Sequence, residues 1–353
     1  MMGSPQFDVA HINLAHGFRG GERQTELLIQ ELAKMGLKQA LLCRADSPLR
    51  EHLDGTPGLT LLPLAGADPR LDGHLKLRAR AAIMHAHEAL AAQWAYLHSC
   101  IFSVPYIITR RVNNPISGGL FNRLMYRRAF RVAGVASVIP QIVRSRFKKV
   151  KAVHIHSSCA HMLSDPEKVS ALRQRWQGNF VVGHAGALVD KQKGQSTLIK
   201  AAVLLKGKIP GLKVVFLGSG EDEETLKQQA AELPFVEFEG FQDNPANYFD
   251  AFNVFAFPSN YEGAAGVLLD VMEHHVPVVA SNAGGIPDIV KPEKSGLLVP
   301  PADPQALAAA ILRLYQDQEL CRQLVEGGVE MAKANSPEAM ARHYFDLYQG
   351  KDP

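Results

Sequence analysis

FPSNYEGAAGVLLDVMEHHVPVVASNAGGIPDIVKPEKSGLLV, residues 257–299, decides the reading of this chain. The apolar run NVFAFPS (253–259) reads as a strand, VLLDVME has helical spacing, and VPVVAS (276–281) is the next strand. Between strand and helix lie Gly263, Ala264, Ala265 and Gly266, small enough to let backbone approach a ligand closely. Backbone N–H groups at the start of the helix, from Val267 onward, suit a diphosphate or sugar hydroxyls. Glu262 stands before the helix and Asp270 about two turns inside it. Two acids at such a spacing also decorate many solvated helices, so the surrounding pattern has to decide.

Outward from this stretch, short apolar runs alternate with helical segments. VAHINL (9–14), QALLC (39–43), LTLLPL (59–64), AAIMHAH (81–87), PYIIT (105–109), VASVI (135–139) and AVHIH (152–156) read as strands. The pattern restarts with FVVGHAG (180–186), LKVVFLG (212–218) and FVEFEG (235–240). Alternation of this kind implies parallel sheets covered on both faces. The fold expected is α/β, two tandem Rossmann-like doubly wound domains facing across a cleft. Domain boundaries are expected at 1–165 and 166–335, joined by a polar, Pro/Gly-punctuated linker, with 336–353 as a terminal helix.

With 353 residues, each half is long enough to bury its own core. The 46% hydrophobic and 21% charged composition is that of an ordinary globular protein. Cys43, Cys100, Cys159 and Cys321 lie far apart, which argues against a disulfide framework or a structural zinc site. The N-terminus lacks the basic and apolar regions of a signal peptide, and no apolar run could span a bilayer. The expected location is cytoplasmic, with any membrane contact peripheral.

The order Pro258-Ser259, Glu262-Gly263, Asp270, Val276-Pro277-Val278 and Gly284-Gly285 resembles the signature of the GT-B glycosyltransferases of family-4 type. Asp270 replaces the usual Glu, and His275 the usual Gly. The resemblance implies that Glu262 positions the transferred sugar and Asp270 the ribose of a nucleotide-diphosphate sugar. HAGALVDKQKG (184–194) resembles the second donor element, in which an Arg and a Lys neutralise the diphosphate. Lys193 is present, Ala187 occupies the Arg position, and Lys191 is a substitute cation. Gly218 and Gly220, in FLGSGED, would approach the nucleotide. Gly20 and Gly21, before the first helix, would reach the diphosphate or else form a plain strand-to-helix turn. His87, in MHAHEA, would hydrogen bond a hydroxyl near the transferred sugar. The alternative for His85-x-His87 is a metal site, for which no third ligand is evident nearby. The chain has no Asp-x-Asp, in keeping with metal-independent chemistry and no cofactor beyond the donor.

Residues 110–151 carry Arg110, Arg111, Arg123, Arg127, Arg128 and six further cations without one Asp or Glu. Such a segment is a solvated basic face, or it attracts an anionic membrane or phosphorylated acceptor. FNRLMYRRAFRVAG mixes aromatic and basic residues as an interfacial helix does. No nucleic-acid motif accompanies it. Tyr344, Phe345 and Tyr348 are expected to anchor the terminal helix on the N-terminal domain. The function implied by the resemblance is retaining transfer of a hexose to a glycan hydroxyl, for example in lipopolysaccharide core. A sugar-nucleotide epimerase or hydrolase, and a non-catalytic nucleotide-sugar-binding subunit, are the rival readings.

Overall fold

A computed structural model describes residues 5–352 of the chain. It divides into two units, one running to Ala160 and resuming at Ser336, the other His161–Asn335. The boundary therefore lies a few residues ahead of position 165.

Among the described residues, the first unit holds seven strands: β1 (Phe7–Asn13), β2 (Gln39–Arg44), β3 (Leu59–Leu64), β4 (Ala81–Ala86), β5 (Tyr106–Arg110), β6 (Arg131–Gly134) and β7 (Ala152–His154). They pair in parallel in the order β3-β2-β1-β4-β5-β6-β7. The chain winds outward from β1 in one direction, then returns to β1's other side through β4. Helices cover both faces, so strand residues such as Val9, Ala10, Ile12, Leu41 and Leu42 are buried on either side. The terminal helix Pro337–Tyr348 belongs to this unit. Its Met340, Ala341, Tyr344 and Leu347 pack on Val9, Leu28, Leu32, Ile83 and Ile107, while Phe345 and Tyr348 are only partly buried. Pro337 at the first turn and the Ser336 cap, which accepts from the Ala339 N–H, fix where that helix begins.

The second unit holds β8 (Phe180–Ala185), β9 (Leu212–Leu217), β10 (Val236–Phe238), β11 (Val254–Phe257), β12 (Val278–Ser281) and β13 (Leu297–Val299). Their order, β10-β9-β8-β11-β12-β13, is again parallel throughout. The direction of winding reverses between β8 and β11. At such a reversal the loops leaving the two strands diverge to opposite faces and open a crevice at the carboxyl edge.

Sequence and structure part in a few places. Residues 135–139 are not a strand: β6 is Arg131–Gly134, and Val138 already starts the helix Val138–Arg146. Gly134 faces Ile139 and Pro140 so closely that a Cβ would lie 2.7 Å from them, and this close turn folds the apolar run back as a helix. The polar linker contains the helix Pro166–Arg175, capped by Asp165. Among the described residues, no helix is long and apolar enough to cross a membrane.

Gly183 on β8 marks a tight point in the second core, because a Cβ there would sit 2.1 Å from the Phe252 ring. Gly183→Ala should cost about 1–3 kcal/mol through overpacking, read as a lower urea midpoint for unfolding of the second unit. An unchanged midpoint would contradict that packing.

Candidate functional site

In the second unit, the loops leaving β8 and β11 are stitched together at the reversal of winding. After β8 the chain makes a single helical turn, Asp190–Lys193, and ends it at Gly194. Gly194 has φ +67, and a Cβ on it would lie 2.3 Å from the Pro258 carbonyl oxygen. Only glycine combines that conformation with that approach. Asn260 N–H then donates to the Gln192 carbonyl at 2.8 Å. The result is a 2.6 Å ion pair between Lys193 Nζ and Glu262 Oε2, with both side chains largely enclosed. Lys193 Nζ also lies 5.3 Å from the centroid of the Phe257 ring. The Gly284-Gly285 turn fixes the backbone of Glu262, since Gly285 N–H donates to its carbonyl at 3.1 Å.

The helix Gly266–Glu273 starts here, with Ala265 as its cap at φ +47. That conformation costs an alanine about 1 kcal/mol or more, a local strain of the kind found at ligand sites. Gly263, Ala264, Gly266 and Val267 are partly exposed around this helix start. Asp270 lies just over one turn inside the helix rather than two, and is partly exposed.

Gly218 and Gly220 serve a contact that the sequence did not reveal. A Cβ on Gly218 would meet the Gly186 carbonyl oxygen at 2.0 Å, and one on Gly220 the Leu188 carbonyl oxygen at 2.3 Å. These glycines let the loop after β9 lie directly on the loop after β8, where Leu188 N–H donates to Ser219 O at 3.0 Å. Ala187, at the expected Arg position, is exposed, as is Lys191. Beneath them His184 is fully buried and donates from Nδ1 to the Ala256 carbonyl at 3.0 Å. Burial brings its pKa down to about 4. Gln195, also buried, donates to Ala187 O at 2.9 Å. Neither His184 nor Gln195 was singled out from sequence; a histidine within a predicted buried strand was the available signal.

In the first unit, His87 directly follows β4, at that sheet's own reversal between β1 and β4. Its N–H donates to Ile12 O at 3.0 Å, and its side chain is buried. Glu88 caps the next helix, Ala89–Phe102, accepting from Ala91 N at 2.6 Å and Leu14 N at 3.2 Å. The third histidine missing from the sequence reading is His11 on β1: His11, His85 and His87 place one nitrogen each within 4.8 Å of one another. Five of their six nitrogens are engaged in hydrogen bonds, His87 Nδ1 being the exception. His11 Nδ1 and His87 Nε2 are 3.0 Å apart, His11 Nε2 meets Gln39 Oε1 at 3.0 Å, and His85 is held between Thr109 Oγ1 at 2.6 Å and Tyr348 OH at 2.7 Å.

The basic residues separate into distinct roles. Arg111 is half-buried and packs beside Gly21, close enough to His87 to disfavour a charge on that imidazole. Arg110 braces its own loop through Asn114 and Tyr126 OH, and Arg128 donates to Ser99 O at 2.8 Å. Arg123 and Arg127 are exposed on the helix Leu120–Arg128, beside the exposed Leu120, Phe121 and Leu124. Gly20 is exposed at the start of the helix Gly20–Lys34, with nothing near its missing side chain.

Two outcomes test this geometry without any ligand. A double-mutant cycle with Lys193→Met and Glu262→Gln should give a coupling of about 1–3 kcal/mol in unfolding free energy, and additivity would contradict the ion pair. The buried imidazoles also set a pH dependence. His184 titrates near 6.5 when unfolded and about 4 when folded, so below pH 6.5 the unfolded chain takes up a proton that the folded chain resists. Its contribution is complete above pH 6.5 and is lost as pH falls toward 4, by about 1.4 kcal/mol per pH unit. Urea unfolding of His184→Gln should be less steeply pH-dependent than wild type over that window; equal slopes would contradict the assignment.

Comparison with known proteins places this architecture. Residues 173–331 match the family model described as glycosyl transferases group 1. The lipopolysaccharide core biosynthesis glycosyltransferase LpsE of Rhizobium meliloti is 31% identical over 175 residues, covering 48% of this chain and 50% of LpsE. The capsular polysaccharide biosynthesis glycosyltransferase CapM of Staphylococcus aureus is 30% identical over 146 residues, covering 40% and 38% of the respective chains. The chain thus spans half or less of the length of these two relatives. Among solved structures, HepE of Anabaena in complex with UDP and glucose superposes with a TM-score of 0.82 at 18% identity, covering 98% of this chain and 100% of that one. The second unit therefore resembles the glycosyl transferases group 1 family over nearly its whole length, and the chain as a whole has the GT-B glycosyltransferase fold.

Proposed function

We propose that the chain is a retaining hexosyltransferase that moves a hexose from a nucleotide-diphosphate sugar to a hydroxyl of a glycan acceptor, without a metal ion. The observation that carries this reading is the Lys193–Glu262 pair, enclosed at the winding reversal of the second unit within the group 1 domain. Its elements suit the parts of such a donor. Lys193 supplies positive charge for the diphosphate, Glu262 accepts hydrogen bonds from sugar hydroxyls, and the helix start at Gly266 offers N–H groups to phosphate oxygens. Asp270 is the carboxylate for the ribose, one methylene shorter than the residue usual in the family.

In the reaction, the bond from the anomeric carbon to the phosphate oxygen breaks with its electron pair going to the diphosphate. Lys193 and the helix N–H groups stabilise that developing charge. The acceptor oxygen bonds to the anomeric carbon from the same face, and its proton passes to the departing phosphate oxygen. No side-chain nucleophile is needed, and no step calls for a metal. The first unit takes the acceptor, with Arg111 at its carboxyl edge.

For the acceptor, a lipid-linked or phosphorylated glycan is favoured by the cation-rich segment 110–151 and by the exposed Leu120, Phe121 and Leu124 beside Arg123 and Arg127. That pairing of apolar and cationic side chains suits peripheral contact with an anionic membrane. The relationship to LpsE, named for lipopolysaccharide core biosynthesis, supports the same class.

The test is product analysis with radiolabelled UDP- and GDP-hexoses, with and without lipid-linked acceptors. Transfer that depends on acceptor and gives a product with the donor's anomeric configuration is expected, persisting in EDTA. Glu262→Gln should lower turnover by about a hundredfold or more, by analogy with the removal of one transition-state contact. Donor hydrolysis or epimerisation indifferent to every acceptor would overturn the reading.

A further inference from the structure

A chain of hydrogen bonds runs from the first unit's helix Gly20–Lys34 to His87, and its direction is fixed from one end. The Ile29 carbonyl can only accept, so the Gln39 side-chain atom 3.0 Å from it is the donor Nε2. The other end of that amide, Oε1, therefore faces His11 Nε2 at 3.0 Å and can only accept from it. His11 must carry its proton on Nε2. A neutral His11 then has a bare Nδ1, which accepts from His87 Nε2 at 3.0 Å. His87 in turn carries its proton on Nε2. Its remaining nitrogen, Nδ1, is buried and makes no hydrogen bond in the structure.

We propose that Gln39 and His11 are positioning residues that hold His87 in its Nε2-protonated tautomer, so that Nδ1 is a bare acceptor reserved for a ligand hydroxyl. An acceptor-only group such as a carboxylate or a fully ionised phosphate finds no proton at that atom. The glycosyl-transfer reading is needed only to say whose hydroxyl it is.

Neutrality of the three imidazoles follows from their setting. His11, His85 and His87 are buried, and the positive Arg111 stands close to His85 and His87. Burial lowers the His11 pKa to about 4 and pushes those of His85 and His87 well below their ordinary value. His85 does not compete for His87, because Thr109 and Tyr348 hold both of its nitrogens. The Tyr348 and Thr109 contacts also fix His85 against His87, with ring centroids 3.9 Å apart. Gln39 is fully buried at the start of β2, where an apolar side chain would be the ordinary occupant.

Imidazole nitrogen NMR of the histidine-labelled full chain tests this directly, with His87 assigned by the signal missing from His87→Asn. At pH 7.5 without ligand, His87 is expected to show a protonated Nε2 and an unprotonated Nδ1. In Gln39→Leu the directing acceptor is gone, and both His87 nitrogens should shift toward values averaged between the two tautomers. A wild-type His87 protonated on Nδ1 would overturn the proposal, and that result does not depend on whether Gln39→Leu folds. A folded Gln39→Leu with unchanged His87 shifts would overturn it as well. Since no substrate is involved, failure here leaves the transferase reading standing, and absence of transfer leaves the tautomer result standing.

Discussion

The ion pair between Lys193 and Glu262 joins two loops that the topology alone would send apart. At the β8/β11 reversal the connections leave toward opposite faces of the sheet. A 2.6 Å contact between opposite charges, with most water excluded, draws them back across the carboxyl edge. Everything around the pair serves its placement. Gly194 allows the loop after β8 to touch Pro258, Gly285 ties the Glu262 backbone, and Gly218 and Gly220 let a third loop settle on the first. An anion arriving there meets a lysine already positioned, which is the preorganisation that electrostatic catalysis requires.

The two units solve a shared problem with different chemistry. Each sheet reverses its winding once, and each places a polar group in the crevice so formed. In the second unit the group is a charged pair. In the first it is a neutral imidazole whose proton is directed by a buried amide. A charged pair suits a diphosphate-bearing ligand, whereas a neutral acceptor suits a hydroxyl.

Much of this was legible in the sequence, because parallel strands buried on both faces write themselves as apolar runs. The fold class and most strands follow from those runs and the helical segments between them. Glu262 and Lys193 were found because they lie in long ordered motifs, FPSNYEG and DKQKG. Residues 135–139 read as strand yet lead into a helix, because an apolar run of that length fits a buried helix turn equally well. His11, Gln39, His184 and Gln195 stayed hidden for another reason. Each lies inside a predicted element, and its importance rests on partners distant along the chain, as with His11 and His87. For the glycines at 218 and 220 the sequence suggests approach to a ligand but does not show the neighbouring backbone that also requires them.

Ligand-linked stability reaches the central claim most directly. A nucleotide-diphosphate sugar that binds at the Lys193–Glu262 crevice must stabilise the folded chain, by about 2.7 kcal/mol at a hundred times its dissociation constant. Thermal unfolding of the whole chain against a panel of UDP-, GDP- and ADP-sugars should give a concentration-dependent rise in midpoint with at least one of them. Lys193→Met should abolish that rise. No shift with any nucleotide sugar, or an undiminished shift in Lys193→Met, would contradict the account.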